Sequence, residues 1–304
     1  MRPTARTLLA LLLLTGCAAE PAAPVDLAAP SQDRHRQMEA AIGDCMKQRG
    51  FKYVNMPSSG QKTDEETRQE AGDYGAMRKH REKYGFGVYS KYVYPEDAKA
   101  GGMTSANQDP NNPIMMALSP VQLESWRAAR DTCYAAATGK FTGKTVSSES
   151  DLYEQVDTMI DQAQARELDG DARLLDLAGR FGDCLTAKGV KIGSLKPTDI
   201  ASTGKKTVQD EMYALGEKQQ AGRGADTAEL RKALARRHGG SSGKVRFTPS
   251  LSPDEARPYL AREVKAALDD LECGRDFYAA FKPRQQEIHD RVYREFGRDD
   301  GPAS

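Results

Sequence analysis

The chain has 304 residues with 44 cations against 44 acids, so it carries no overall basic footprint of the kind that holds nucleic acid. Apolar residues make up 38% and charged residues 29%, which predicts a modest core under a well-solvated surface. Past its first thirty residues it is long enough for one large domain or two small ones.

The N-terminus carries Arg2 and Arg6 and no acid before the apolar run Leu8 to Leu14. That run is seven residues long, against the ~20 needed to cross a bilayer as a helix. Charged, apolar and small residues in that order predict a signal peptide over residues 1–16 that directs export and is removed. Leu14-Thr15-Gly16-Cys17 resembles the lipobox of bacterial lipoproteins. The resemblance implies cleavage before Cys17, a diacylglyceryl group on its thiol, and a protein held to membrane lipid on the outer face of the cell membrane. Residues 17–30 are rich in Ala and Pro and read as a flexible linker.

From Ser31 a helical stripe of Met38, Ile42, Cys45 and Met46 ends at Gly50, and residues 51–54 read as a short extended segment. Residues 63–83 read as one exposed helix capped by Thr63 with Glu66 at the third position, stopping at Gly85, although Gly72 and Gly75 weaken its interior. Next comes Tyr84-Gly85-Phe86-Gly87-Val88-Tyr89, then Tyr92. Tyr84, Phe86, Tyr89 and Tyr92 are candidates for a platform that stacks a sugar or peptide; the competing reading is that they cover a small core. Residues 101–113 read as an irregular connection, and Ser119-Pro120 opens a helix carrying Trp126 and Cys133 on one face.

The second half repeats this plan. Gly43-Asp44-Cys45 and Gly50 find counterparts in Gly182-Asp183-Cys184 and Gly189, and Leu118-Ser119-Pro120 in Leu251-Ser252-Pro253. The spacing from Cys45 to Cys133 nearly equals that from Cys184 to Cys273. A tandem duplication therefore predicts one disulfide per copy, Cys45 with Cys133 and Cys184 with Cys273, in an oxidising compartment. Cross-copy pairing is the alternative if the halves entwine. The expected fold is mostly α, a duplicated helical module with short irregular or β segments: a first repeat over 31–146, a second over 147–299, and a disordered tail over 300–304. Pro258 is expected to kink or restart its helix.

Few motifs point to chemistry. Gly239-Gly240-Ser241-Ser242-Gly243 fits G-x-S-x-G but lacks the strand and helix that the hydrolase elbow requires. Gly143-Lys144-Thr145 lacks the first glycine of a phosphate loop, which is Thr138 here. His35, His80, His238 and His289 are scattered, and the pair Asp269-Asp270 lies in a charged stretch without a burial signal. Neither catalytic residue, metal nor cofactor is expected. The basic run Arg231, Lys232, Arg236, Arg237 and His238 reads as a solvated face, with anionic lipid or a wall polymer as the alternative partner.

In its cysteine spacing, Tyr-Gly-Phe-Gly and Leu-Ser-Pro, the chain is similar to secreted lipoproteins of high-GC Gram-positive bacteria. That resemblance brings no known activity with it, and the leading expectation is an envelope-anchored, non-catalytic binding or accessory protein beside an envelope partner. The alternatives are a solute-binding lipoprotein of an ABC-type importer, which calls for alternating strands and helices, and a cell-wall hydrolase.

Overall fold

The computed structural model describes residues 31–57, 62–101, 109–224, 226–237 and 245–298. The signal peptide, the linker with Cys17, the Gly239 to Gly243 motif, His238 and the tail all lie outside these residues.

The described residues form α1 (Ser31–Gln48), α2 (Asp64–Glu70), α3 (Tyr74–Tyr84), α4 (Ser90–Val93), α5 (Asn112–Met116), α6 (Pro120–Thr142) and α7 (Glu149–Glu167). There follow α8 (Ala172–Ala187), α9 (Pro197–Gly222), α10 (Thr227–Arg237), α11 (Pro253–Cys273) and α12 (Arg275–Glu295). A 3-10 turn over Ala98–Ala100 is the remaining element, and no strand occurs among the described residues. The mostly-α class expected from helical periodicity is what forms.

The helix starts follow from the local sequence. At Thr63, Ser119 and Ser252 the hydroxyl accepts from the backbone N–H three residues on, while Glu66, Gln122 or Glu255 reaches back to the cap. These reciprocal capping boxes satisfy two donors that a helix start otherwise leaves bare. Pro258 lies within α11, which is continuous from Pro253 to Cys273.

The expected helix over 63–83 is two helices, α2 and α3. Gly72 takes φ +75°, and a Cβ there would stand 2.4 Å from the Tyr278 carbonyl oxygen of α12. The chain turns at the one residue that tolerates both, and Asp73 then caps α3 by accepting from the Ala76 N–H at 2.7 Å.

The expected extended segment after α1 forms no strand because side chains take its backbone. Trp126 Nε1 donates to the Lys52 carbonyl at 3.0 Å. The Asn111 amide pairs with both the N–H (2.8 Å) and the C=O (2.9 Å) of Val54, as a neighbouring strand would. Gln219 does the same for Ser250, at 2.8 and 3.2 Å. Both segments are satisfied without a sheet.

Cys45 bonds Cys133, tying α1 to α6, and Cys184 bonds Cys273, tying α8 to α11. One core runs through both halves: Ile42 and Met46 of α1, Trp126 of α6, Val156 of α7, Phe181 of α8, and Phe277, Phe281 and Phe296 of α12. A smaller core gathers Val88, Tyr89, Val93, Val208, Met212, Ala256 and Leu260. Packing crosses the 146/147 boundary, since α11 lies along α3 and α4 while α12 meets α2 and α3.

Candidate functional site

The turns that end α1 and α8 are built alike. Gly50 (φ +80°) and Gly189 (φ +85°) adopt the left-handed conformation, and the next residue, Phe51 or Val190, donates its N–H to the Met46 or Leu185 carbonyl, at 3.0 Å in each case. Each turn sends the following chain back across its own helix. Each helix also has a glycine at the crossing. A Cβ at Gly43 would stand 2.5 Å from Asn55 Oδ1, and one at Gly182 would stand 2.5 Å from Leu195 Cδ2.

What lies over these two notches differs. Over Gly182 the space is closed by Leu195, by the fully buried Ile200 at the start of α9, and by Ile192. Over Gly43 a groove of about 580 Å³ stays open between α1 and residues 51–55, with Ile114 of α5 on its far side. Ala40, Phe51, Tyr53 and Val54 supply apolar wall, while Asp44, Lys47, Lys52 and Asn55 supply polar rim. Its size lies within the range of ligand sites. The helix that follows in the first half, α2, packs on α3 and α12, whereas α9 packs on α8.

The groove has a rigid floor. Glu39, buried in α1, accepts from the Tyr53 hydroxyl at 3.0 Å and the Met56 N–H at 2.8 Å. Burial raises the Glu39 pKa, against the pull of those two donors, and raises that of Tyr53 as well. Behind Tyr53 the Trp126 ring lies near-parallel, with centroids 6.3 Å apart.

The Tyr-Gly-Phe-Gly stretch packs on the smaller core and wraps its backbone around a carboxylate. Tyr84 and Tyr89 are buried, and Phe86 and Tyr92 are partly buried against the smaller core. Tyr89 stacks on Tyr259 at 5.0 Å, and burial pushes its hydroxyl up to about 12. Two of the four rings are thus covered and two keep part of their surface open. Gly85 (φ +63°) and Gly87 (φ +86°) curl the backbone so that the N–H groups of Phe86, Val88 and Tyr89 each donate to the Glu263 carboxylate at 2.8 Å. This is an anion nest filled by the chain's own carboxylate. Burial raises the Glu263 pKa, and the backbone donors oppose it.

Asp270 corrects the reading of Asp269-Asp270 as a solvated pair. Asp269 pairs with Lys188 and Lys265, but Asp270 is 2% exposed. It accepts from Arg81 Nη1 (2.5 Å) and the Tyr278 hydroxyl (2.7 Å), and Arg81 also donates to the Ala267 carbonyl. Burial raises the Asp270 pKa against Arg81 and Tyr278; the same partners hold Arg81 charged in spite of its burial. Glu263 and Asp270 thus fasten the first half to α11. The signal was legible, since both fall on the stripe Ala256, Leu260, Glu263, Ala267, Asp270, Leu271.

Among the described residues no group of His, Cys, Asp and Glu is arranged to hold a metal ion. His289 meets Gln164 at 3.0 Å, and His80 packs on Tyr84. In the basic run, Arg231 pairs with Glu217 and Lys232 with Glu229. No described helix is long and apolar enough to cross a membrane. No family model, no curated protein and no solved structure matches this chain.

Proposed function

We propose that the protein is a lipid-anchored lipoprotein of the cell envelope, built from two copies of a helical module, with a non-catalytic binding or accessory role. The observation that carries this is the pairing of the cysteines. Cys45, Cys133, Cys184 and Cys273 are used up in two bridges, which leaves Cys17, in its lipobox-like setting, as the odd one. Paired thiols suit an exported protein, and a thiol placed after an apolar leader suits acylation. The duplication is supported by the matching turns after α1 and α8, the two glycine notches, and the capping boxes at Ser119 and Ser252. The binding role is supported by the open groove over Gly43, where the first half has no counterpart of the buried Ile200 that adds to the cover over Gly182.

The test is the intact mass of protein extracted from membranes of the producing cell. We expect a chain beginning at Cys17, carrying diacylglyceryl and no reducible free thiol, and expect Cys17→Ser to shift the protein from the membrane to the aqueous fraction. A chain with Cys17 unmodified would overturn the anchor.

A further inference from the structure

We infer that the rim of the smaller core binds an acidic glycan, a hydroxyl-rich chain bearing anionic groups, through Tyr92, Tyr213 and Tyr259 and the cations Lys91, Arg246 and Arg262. The turn into α4, helix α9, residues 246–248 and helix α11 bring these side chains into one row. The Arg262 guanidinium lies 4.8 Å from the centroid of the Tyr259 ring, and Tyr259 stacks on the buried Tyr89 at 5.0 Å. Tyr89 meets Tyr92 with centroids 6.3 Å apart, and the Lys91 ammonium lies over the Tyr92 ring at 5.3 Å. The Tyr92 hydroxyl reaches the Met212 sulfur at 3.9 Å, with the side chains of Thr248 and Tyr213 close by. Arg246 covers the Tyr213 ring at 5.6 Å, so the row begins and ends on a guanidinium. Tyr92, Tyr213 and Tyr259 pack on the smaller core yet keep part of their surface open, and Arg246 and Arg262 are exposed.

The charge of this row is left over. Other cations on rings of the same region are neutralised: Arg81, over Phe86, pairs with Asp270, and Lys83, over Tyr94, pairs with Asp97. Among the described residues Lys91, Arg246 and Arg262 meet a ring and no carboxylate. The acids beside the row are Glu211, near Tyr89, and Asp210, which Lys206 already holds. Three cations thus face one unpaired carboxylate, and a ring contact leaves their N–H groups able to donate to anionic oxygen. The rings decide the rest of the chemistry. A cation covers each of the three and the core packs against them, so solvent meets charge and phenol rim in place of a bare ring face. Such a surface holds a chain by hydrogen bonds and charge, which suits sugar hydroxyls and acidic groups, and offers little to nucleic-acid bases, which need open faces to stack on.

The inference rests on the binding role proposed above and names its ligand class, and its test is independent of the anchor. The probes are partly sulfated dextran, unsulfated dextran, polyphosphate and a single-stranded oligonucleotide, each titrated by calorimetry into the full chain in whichever form it is recovered. We expect saturable binding of the sulfated dextran that weakens as salt rises to ~0.5 M, with the other three probes weaker by about tenfold or more. Lys91→Gln/Arg246→Gln/Arg262→Gln should lose about tenfold or more in affinity for it, whereas Arg49→Gln/Lys140→Gln/Arg173→Gln, the same loss of charge at exposed cations of other elements, should stay within about twofold. Tyr92→Phe/Tyr213→Phe, which keeps the rings and removes two hydroxyls, should weaken binding about fivefold. Glutamine keeps the cation stems and phenylalanine the ring packing, and circular dichroism checks that each variant folds. Equal losses in the two charge triples overturn the inference, since net charge would then suffice. Polyphosphate or the oligonucleotide bound as tightly as the sulfated dextran overturns it too, by showing a general phosphate surface, as does unchanged affinity in the phenylalanine variant. An acylated Cys17 with no probe bound would leave the anchor standing and remove the site.

Discussion

The α1–α6 pair and the α8–α11 pair share a turn, a glycine notch and a bridge, yet differ in what each asks of its second helix. Cys133 lies fourteen residues past Ser119, in mid-helix; Cys273 lies twenty-one past Ser252, at the last position of α11. The seven extra residues are about two helical turns, so the cysteine keeps its face while the stretch from cap to bridge lengthens. Within that stretch of α11 stand Glu263 and Asp270, which reach across to α3 and the turn before α4. The second module thus spends its surface on holding the molecule together. In the first half a groove stays open elsewhere, over α1 and residues 51–55. Common hydrogen bonds mark what the fold requires, and the surfaces where the two halves diverge mark what it leaves free to vary.

The largest effect bears on the bridges. The two close loops of 88 and 89 residues, for which chain entropy gives about 4 to 5 kcal/mol each. Urea unfolding of Cys45→Ser/Cys133→Ser and of Cys184→Ser/Cys273→Ser should therefore show similar losses if the unfolded chain alone decides. We expect the second pair to lose more, because α11 also carries the cross-half carboxylates. Equal losses would show that the bridges act on the unfolded chain alone and would remove this asymmetry.

Glu263 gives the next effect. With Gln in its place one of the backbone donors in the nest meets an amide N–H₂, and we expect a loss of about 1 to 3 kcal/mol. The pH dependence has a defined sign. Burial raises the folded pKa of Glu263 above its usual 4.5, so the native state holds the proton more tightly than the unfolded chain. Its contribution is present in full below 4.5 and falls as pH rises through the folded value. Thermal unfolding of wild type and Glu263→Gln, compared from pH 4 upward, should show the gap narrowing as pH rises. Glu39→Gln should behave alike, since its pKa is also raised by burial. A gap that widens with pH would mean that the three backbone donors outweigh burial.

Much of this architecture could be read from residues alone, for reasons of range. Capping boxes at Thr63, Ser119 and Ser252 are local, and the cysteine spacing is a property of the chain, so neither needs the fold to be known. The break at Gly72 depends on the Tyr278 carbonyl, 206 residues away, and reads as a weak helix until that contact exists. Asp270 looked solvated beside Asp269, yet the α11 stripe places the two on different faces; periodicity held the answer and composition hid it. The Tyr-rich turn gave its residues correctly and its purpose ambiguously, because an anion nest is made by backbone, which side-chain identity does not encode. The groove was not legible, since it depends on where α2 and α9 pack.

The smallest effect is the most direct measure of the difference between modules. Both Gly43 and Gly182 sit inside helices, where Ala is preferred over Gly by roughly 1 kcal/mol. At Gly43 the new methyl displaces only the exposed Asn55 side chain, so Gly43→Ala should stabilise the protein by a large part of that preference. At Gly182 the methyl must move the end of the half-exposed Leu195 and also comes to 3.4 Å from the fully buried Ile200, which leaves no slack on that side. The contact with Ile200 should take back part of the helix gain, leaving Gly182→Ala the less stable of the two by about 0.5 kcal/mol. Chemical denaturation of both variants against wild type measures the gap. If the two substitutions raise stability equally, the second notch has slack, and Ile200 does not pack it more tightly than Asn55 and Tyr53 pack the first.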